Sequence, residues 1–385
     1  NKNMPKVASK VRTFGLLGLA NITFDESSDF TVGVDIELTE GDQLSFQPLD
    51  ITTTGWGADT YLEGEKFYDD TTRYVAASPY LQYQRQIAEK WQLTFGARYD
   101  YAEYQFDNHL GLIGDIGHGK ISLADRDDNF SHLSPKASLI YQATDNSSVY
   151  WRYANSFRLP TAGSLYHLTT KDSGEAKAVD PEVSDTYEMG YKGNFERLTV
   201  DGAIYYMDVD DGIVHAYNQH GQRYLTNATR VIHKGIEVSV DWELTDNVDL
   251  SFAYSKSRHT FDKHEEFSGN EMKLAPDYLA NVRLRYRPAA VAGLTTMLEL
   301  QSIGEYWMDD ANSVDPDTGE DRIYSGFTIL NFKTHFQWSN ALSFNARIQN
   351  LTDKVYAHEA EYRYGRNSWA PGAPRTVYFG VNYQW

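Results

Sequence analysis

The last eleven residues, Arg375 to Trp385, alternate between apolar and polar positions up to the final tryptophan. The apolar positions are Val377, Phe379, Val381, Tyr383 and Trp385, and the polar positions are Thr376, Tyr378, Gly380, Asn382 and Gln384. Because successive side chains of a β-strand point to opposite faces, the segment predicts a strand with one apolar and one polar face. Such a strand is typical of a membrane β-barrel, with lipid on one side and a polar lumen on the other.

The same alternation recurs upstream, in segments at 30–36, 91–100, 236–242, 280–287, 330–338 and 342–349. We expect one set of side chains to face lipid: Leu330, Phe332, Phe336, Val238, Val240 and Phe379. The opposite, lumen-facing set should include Asn331, Lys333, Glu237, Arg283 and Asn382. The sequence thus predicts an all-β protein, an antiparallel transmembrane β-barrel.

Connections between these strands fall into two classes that alternate along the chain. The short turns are at Asp25–Asp29, Ile87–Lys90, Thr144–Ser147, Gly193–Arg197, Thr245–Asn247, Pro288–Gly293 and Ser339–Ala341. The long loops are at Pro48–Thr72, Asp107–Ser131, Leu159–Val183, Val214–Gln222, Asp262–Lys273, Met308–Asp321 and His358–Pro374. In outer-membrane barrels short turns face the periplasm and long loops face outside. We therefore expect Asp145, Asp246 and Asn340 at one end of the barrel and His167, Asp315 and His358 at the other.

About fifteen strands can be counted in this way, whereas single-chain bacterial barrels have an even number. The first strand, near Val11 to Phe24, runs toward the short turns, so its predecessor would enter from an outside loop. Unpaired strand edges are costly in lipid. We therefore expect a second polypeptide, or an N-terminal part removed from this chain, to pair beside this segment and beside Thr376–Trp385.

Composition excludes several other classes of protein. The longest apolar run, Phe14–Ala20, is far shorter than the roughly 20 residues that a spanning helix needs. Aromatic residues make up 14% of the chain, with 28 Tyr and 8 Trp, as two interfacial aromatic girdles would require. There is no Cys, hence no thiolate metal site. The net charge of -19 disfavours nucleic acid as a partner.

Several segments, in order along nearly the whole chain, resemble the TonB-dependent outer-membrane receptor family. They are Ser134–Gln142, Val149–Tyr166, Asp180–Lys192, Asn227–Val238, the penultimate-strand element Asn350–Tyr356, and the terminal strand Pro371–Trp385. Asn227–Val238 departs from the family pattern, with Arg or Thr where a glycine is usual.

The resemblance implies a 22-stranded barrel with an N-terminal plug in its lumen. Residues 1–385 would then be the C-terminal portion of the barrel, without the plug, the TonB-contacting segment and the first strands. It further implies a bacterial outer-membrane receptor that takes up an iron chelate, with ferric siderophore the leading cargo and haem or cobalamin as alternatives. Its partners would be lipid, lipopolysaccharide, the plug and, through the plug, TonB. A passive porin-like channel is the other functional class, and no residue spacing supports a catalytic site.

Histidines occur in or near the predicted long loops, at 109, 118, 132, 167, 215, 220, 264 and 358. Imidazole is a good ligand for metals and haem, but a solvated loop histidine is the commoner case. Haem receptors of the resembled family carry a histidine between an F-R-A-P box and an N-P-N-L box. Here His167 follows Phe157–Pro160, which reads F-R-L-P, and the second box is missing. The haem alternative is therefore ranked below siderophore.

Two loops are rich in acids: Asp309, Asp310, Asp315, Asp317, Glu320 and Asp321 in one, and Asp59, Glu63, Glu65, Asp69 and Asp70 in the other. Carboxylates are the ligands that Ca²⁺ and Mg²⁺ prefer, so loop-bound Ca²⁺ or Mg²⁺ is one reading, and a hydrated surface beside lipopolysaccharide is the other. The lumen charges could line a transport path or contact a plug: Arg283, Arg285, Arg287, Arg347, Glu237, Asp241 and Glu299.

A large, partly apolar chelate should be bound at the outside mouth by aromatic faces and a few polar groups. The candidate ligand-binding residues are Tyr166, His167, Tyr217, His220, Tyr362, Tyr364 and Trp369. Acidic loops should favour a neutral or cationic chelate over a highly anionic one, unless bound divalent cations neutralise them.

Overall fold

The protein, seen in a computed structural model, is described at residues 5–54, 58–167, 179–217, 223–363 and 365–385. Nearly all of its regular structure is extended. The strands are β1 (Lys6–Asp25), β2 (Ser28–Phe46), β3 (Ile51–Thr52), β4 (Thr60–Tyr61), β5 (Lys66–Ala88), β6 (Trp91–Asn108), β7 (Gly114–Gly117), β8 (Lys120–Ser122), β9 (Arg126–Thr144), β10 (Ser147–Arg158), β11 (Glu182–Phe195), β12 (Leu198–Tyr217), β13 (Arg223–Thr245), β14 (Val248–Lys263), β15 (Tyr278–Tyr286), β16 (Leu294–Ile303), β17 (Tyr306–Trp307), β18 (Ile323–Tyr324), β19 (Phe327–Gln337), β20 (Leu342–Gln349), β21 (Ala357–Arg363), β22 (Arg366–Pro371) and β23 (Thr376–Tyr383). The helix is α1 (Ala162–Tyr166).

Fifteen strands form one antiparallel sheet in the order β1-β2-β5-β6-β9-β10-β11-β12-β13-β14-β15-β16-β19-β20-β23. Each strand pairs with the next long strand of the chain, and the eight shorter strands form two-stranded hairpins within the long loops. Among the described residues β1 and β23 are not paired with each other, so they form the two edges of the sheet. The strand count and the antiparallel order agree with the sequence prediction.

The register separates an apolar face from a polar face across many strands. One row of directly opposed residues is entirely apolar: Val200, Val240, Phe252, Val282, Leu300 and Leu330. A second apolar row contains Leu284, Leu298, Phe332, Ile348 and Val377. The row beside it is mostly polar, with Arg285, Met297, Lys333, Arg347 and Tyr378. Phe332 and Lys333 thus lie on opposite faces, as the alternation predicted.

The apolar face is open rather than packed against another layer. Val377 is 67% exposed and Phe379 is 72% exposed. Buried apolar side chains gather in three small clusters toward the loop end, around Tyr306, Val209 and Phe106. No helix among the described residues is long and apolar enough to cross a membrane.

All the short turns lie at one end of the sheet and all the long loops at the other, because consecutive strands are antiparallel. Asp145, Asp246 and Asn340 therefore share one end, as predicted. Several loop bounds were wrong, because polar strands continue pairing beyond the apolar band. β5 begins at Lys66, within the predicted loop Pro48–Thr72, and β9 begins at Arg126, within the predicted loop Asp107–Ser131. β12 ends at Tyr217, within the predicted loop Val214–Gln222.

β20 ends at Gln349, as the alternation at 342–349 predicts, and the segment Asn350–Tyr356, which resembles a penultimate-strand element, follows it. Asn350 and Asp353 adopt positive φ values of 52° and 54°, which a continuing strand does not allow. Asn350 is fully buried. Its Nδ2 donates to the carbonyls of Lys354 and Ala373 at 2.8 and 3.1 Å, and its Oδ1 accepts from the Lys354 amide at 2.8 Å. The motif therefore builds a tight turn after the strand.

Candidate functional site

The long loops fold into packed structures of their own at one end of the sheet. We call the structure around Phe106, Leu165 and Tyr166 the first loop cluster. We call the one around Tyr306, Met308, Tyr324, Ala357 and Ala360 the second loop cluster. The strands that carry these two clusters are separated in the sheet by β11 to β14. Four of the seven predicted ligand-binding residues divide between them.

Tyr166 is the buried anchor of the first loop cluster. It ends α1, which begins where the Thr161 side chain accepts a hydrogen bond from the Ser164 amide. The Tyr166 ring is 1% exposed and stacks on Phe106 with centroids 4.5 Å apart. Its hydroxyl donates to Asp128 at 2.8 Å, and burial together with that bond raises the Tyr166 pKa far above its usual range. The residue holds the loop in place and offers almost no surface to a ligand.

His167 follows directly and lies on the carboxylate of Asp70. Its Nε2 is 2.9 Å from Asp70 Oδ2, and its Nδ1 is 3.5 Å from Gln43 Nε2. The ring also packs on Tyr68, with centroids 4.5 Å apart. Both ring nitrogens therefore have side-chain partners on β2 and β5. An axial bond to haem iron would require the imidazole to leave at least one of them.

His118 forms a second link between loops, one that sequence reasoning did not single out. Its Nδ1 lies 2.7 Å from Asp59 Oδ2 and its Nε2 lies 2.8 Å from Glu65 Oε1. Tyr61 covers the ring at a centroid distance of 4.3 Å, and Phe67 meets it edge-on at 5.9 Å. Partial burial opposes the charged imidazole, but the two carboxylate hydrogen bonds outweigh it and raise the His118 pKa. Asp59 has a lowered pKa for the same reason.

The second loop cluster is held together by buried tyrosine hydroxyls. Tyr324 donates to the Ala357 carbonyl at 2.7 Å, and Tyr306 accepts from the Ala360 amide at 2.8 Å. These bonds join the β17–β18 hairpin to the β21–β22 hairpin. Because both partners of each bond are buried, breaking one would leave polar groups unsatisfied.

A charged group at the edge of this cluster ties in a third loop. Lys273 Nζ lies 2.9 Å from Glu361 Oε1 and 3.9 Å from Asp310 Oδ2. Asp310 is 8% exposed, and its burial raises its pKa while Lys273 opposes that rise. One carboxylate of the acidic loop that was predicted as a cation site, Asp310, therefore already lies near a positive charge of the protein, the Lys273 ammonium group.

The two described candidates in the second loop cluster have different exposure. The Tyr362 ring lies under the Arg322 guanidinium, 3.9 Å from its carbon, and packs against the cluster. Trp369 meets Tyr324 edge-on at 5.9 Å and remains 54% exposed. Trp369 is thus, among the described candidates, the one that offers most surface. Four candidates fall into two pairs: Tyr166 with His167, and Tyr362 with Trp369.

The other three candidates lie wholly or partly outside the described residues. His220 and Tyr364 are not among them. Tyr217 ends β12, but its side chain is not described. Of the predicted loop histidines, His132 lies within β9, where its ring stacks on Phe157 at 4.9 Å and its Nε2 is 2.6 Å from Asn155 Oδ1.

In the described part of the chain, no three His, Asp or Glu side chains converge as a metal-ion site. Asp309 accepts from the Ser313 amide at 3.0 Å, and Asp315 Oδ1 accepts from the Asp317 amide at 3.0 Å. These carboxylates shape their own loop. The Ca²⁺ or Mg²⁺ reading of the loops stays a prediction.

Two of the predicted lumen charges, Arg283 and Glu299, form a network with Lys333 and Asn331 on the polar face. Glu299, 3% exposed, accepts from Arg283 at 2.7 Å, from Lys333 at 3.2 Å and from Asn331 at 3.2 Å. A cavity of about 750 Å³ runs along the same face, lined in part by Tyr150, Glu237, Gln301 and His358. The polar face therefore borders a cavity, and its buried acid Glu299 is neutralised by Arg283 and Lys333.

Comparison with known proteins gives a consistent picture. The sequence model of the TonB dependent receptor-like β-barrel matches residues 3–351. The ferrioxamine receptor of Yersinia enterocolitica is 25% identical over 323 residues, which cover 81% of this chain and 40% of the relative. The catecholate siderophore receptor Fiu of Escherichia coli strain K12 is 23% identical over 327 residues, covering 77% of this chain and 40% of the relative.

Among solved structures, the ferric yersiniabactin uptake receptor FyuA from Yersinia pestis matches with a TM-score of 0.72. The sequence identity is 17%, and the match covers 98% of this chain and 54% of that receptor. This likeness shows the fold alone. The chain spans about 40% of the length of these two curated relatives.

Proposed function

Because this chain belongs to the TonB-dependent receptor β-barrel family, we propose that it forms part of the wall of an outer-membrane receptor that imports an iron chelate. A ferric siderophore is the leading cargo. The family match over residues 3–351 carries the proposal, and the siderophore receptors among the relatives support the choice of cargo. The protein acts as a receptor and transporter rather than as an enzyme.

The two faces of the sheet support a location in the bacterial outer membrane. Rows of exposed aliphatic and aromatic side chains suit lipid and the inner part of lipopolysaccharide, and the opposite polar rows suit a water-filled lumen. Further barrel strands would pair with the outer edges of β1 and β23. An N-terminal plug would fill the lumen and connect the receptor to TonB.

The loop end is where a chelate would first bind. Trp369 offers an exposed aromatic face, and Tyr362 with Arg322 offers a stacked, charged neighbour. His167, Tyr217, His220 and Tyr364 would contribute polar groups around this mouth. Tyr166 would not contact the chelate but would hold His167 and its loop in position through its hydrogen bond to Asp128.

Haem is the second candidate cargo, with cobalamin and passive diffusion after it. The hydrogen bond that His167 Nε2 donates to Asp70 and the one that its Nδ1 accepts from the Gln43 amide disfavour an axial haem ligand at this position. A specific loss of haem binding in His167→Ala would contradict the order that places siderophore above haem.

The test is uptake by the complete receptor in a host that lacks its own iron receptors. We expect labelled iron to enter from one ferric siderophore of a panel of hydroxamates and catecholates, and only when TonB is present. Haem and cobalamin complete the panel. Equal uptake in a matched host without TonB would instead support a passive channel. Growth on haem as the only usable iron source would identify haem, and not a siderophore, as the cargo.

The acidic loops, which contain Asp309, Asp310, Asp315, Asp59 and Glu63, would give the receptor a preference for the charge sign of its ligand. Binding of ferric chelates that differ in charge, measured at low and physiological salt, should favour the neutral or cationic members, more so at low salt. Tightest binding of the most anionic chelate under both conditions would contradict this expectation.

A further inference from the structure

Two histidines face each other on the polar face, on the strands that carry the buried cluster of Val209, Val231 and Phe261. β13 and β14 pair so that His233 and His259 are direct cross-strand partners. His233 shares its face with Glu237, and His259 shares its face with Ser255, the partner of Glu237. The two rings have centroids 4.8 Å apart at an interplanar angle of 57°. They lie on the lumen side of the proposed barrel.

The nearest nitrogens of this pair are Nδ1 of each ring, 2.6 Å apart. Two N–H groups cannot point at each other across that distance, so at most one proton lies between the rings. At least one Nδ1 therefore keeps its lone pair in the gap. His259 is oriented further by its Nε2, which lies 3.0 Å from Ser257 Oγ. The geometry fixes two imidazoles with a basic nitrogen directed between them.

Two thioether side chains belong to the same neighbourhood. Met207 is the cross-strand partner of His233 on β12, so it lies on the same face. The Met272 amide donates to the His259 carbonyl at 2.9 Å. Both methionines pack against the cluster of Val209, Val231 and Phe261. The nearby acids are already paired, Glu271 with Arg258 at 2.8 Å and Glu182 with Arg158 at 2.7 Å.

We propose that His233 and His259 form a binding site for a divalent transition-metal ion such as Cu²⁺, Ni²⁺ or Zn²⁺. Imidazole suits these ions, whereas Ca²⁺ and Mg²⁺ prefer oxygen ligands. A metal about 2.0–2.1 Å from each nitrogen needs the two nitrogens roughly 3–3.4 Å apart. A small rotation of the two rings opens the present gap to that distance. Lumen water completes the coordination, with the Met207 thioether as a further soft ligand.

The site uses other residues and other chemistry than the proposed chelate mouth, so its test does not depend on the proposed cargo. Purified complete receptor is titrated with Cu²⁺ by calorimetry and examined by electron paramagnetic resonance, with Zn²⁺ as competitor. We expect one equivalent of Cu²⁺ whose spectrum shows coupling to two imidazole nitrogens. His233→Gln and His259→Gln, which keep polarity and approximate size, should each weaken this binding at least tenfold.

His335→Gln is the matched control, because His335 also lies on the polar face but is hydrogen-bonded to Asn345 at 2.7 Å. The His335→Gln variant should still bind one equivalent of Cu²⁺. Met207→Leu should alter the Cu²⁺ spectrum because it removes the thioether. An unchanged spectrum would show that Met207 is not a ligand and would leave the two histidines as the protein ligands. The proposal is overturned if wild-type receptor shows no two-nitrogen Cu²⁺ signal, or if the signal survives in both histidine variants. Wild-type spectroscopy keeps the test valid even if a variant fails to fold.

Discussion

His118 is the residue whose protonation should control how two outer loops contact each other. Its two ring nitrogens face Asp59 and Glu65 at 2.7 and 2.8 Å, and both can donate only when the imidazole is protonated. The His118 pKa is raised above 6.5, so the contact is complete below that pH and is lost as the pH rises through the raised value. The pKa of Asp59 is lowered below 3.8, so its contribution is lost only under strongly acidic conditions.

We therefore expect the β3–β4 and β7–β8 hairpins to separate at alkaline pH. Spin labels at Leu62→Cys and Ile113→Cys, both exposed positions in a chain without cysteine, report the distance between the two loops. The distance distribution should be narrow at pH 6 and broad at pH 9. In His118→Gln, which can donate from one nitrogen only, it should be broad at both. A narrow distribution at pH 9 in the wild type would refute the dependence on protonation.

Asn350 is the second residue whose side chain decides local structure. Its amide group makes three hydrogen bonds while fully buried, and its backbone has a φ of 52°. Asn350→Ala leaves buried donors and acceptors unpaired and places alanine in the left-handed region, so we expect about 2–4 kcal/mol of destabilisation. Urea unfolding of the complete receptor in lipid vesicles measures it. Asn382→Ala, which removes one contact of 3.5 Å, should cost under about 0.5 kcal/mol.

These two residues also mark where sequence reasoning reached its limit. The motif around Asn350 and the end of the strand before it were recognisable, but the tight turn was not, because it depends on contacts with Ala373 and Asn331 that are distant in sequence. His118 was one of eight loop histidines, and nothing local linked it to carboxylates more than fifty residues away. Tyr166 was chosen as an accessible aromatic, whereas packing against Phe106 buries it.

At the scale of the strands, period-2 alternation was sufficient to predict both faces of the sheet. Phe332, Lys333 and Arg283 lie on the predicted sides because a strand allows only two directions for a side chain. Loop bounds were less predictable, since polar strands such as the start of β5 pair without any apolar alternation. The packing of tyrosines across strands could not be predicted either.

Tyr150 lies flat on Gly190 of the neighbouring strand, where an added Cβ would come within 2.3 Å of its ring. Its hydroxyl donates to Glu188 at 2.6 Å. Gly190→Val should push the ring away and break that bond, at a cost of about 1–3 kcal/mol from the forced repacking. The measurement is again urea unfolding of the complete receptor in vesicles.

The control for this element is Gly380→Val, because nothing lies within 4 Å of a Cβ built at Gly380 in β23. That variant should be neutral or slightly stabilising, since valine favours extended strands. Equal destabilisation at both positions would show that the loss reflects strand glycines in general rather than the Tyr150 contact. Retention of full stability in Gly190→Val would mean that the ring moves without cost.

At the scale of the whole molecule, the two ends of the sheet are chemically distinct. The loop end carries the packed clusters, whereas the described connections at the opposite end are short turns such as Thr245–Val248. The alternation of loop lengths predicted this division, and the antiparallel strand order confirms it. The orientation in the membrane, with loops outside, stays a prediction that rests on the behaviour of outer-membrane barrels.

Cysteine labelling of intact cells tests that orientation, since the chain has no cysteine. Val314→Cys is preferable to Asp315→Cys because Val314 is 52% exposed, whereas the Asp315 side chain is 23% exposed and accepts a hydrogen bond within its turn. A polymer-linked maleimide, too large to pass the outer membrane, should label Val314→Cys on intact cells. Asp246→Cys and Asn340→Cys in the tight turns should react only after the outer membrane is permeabilised. The reverse pattern would place the loops in the periplasm, where neither the aromatic mouth nor the acidic loops could meet an external chelate, and the proposed uptake would fail with the orientation.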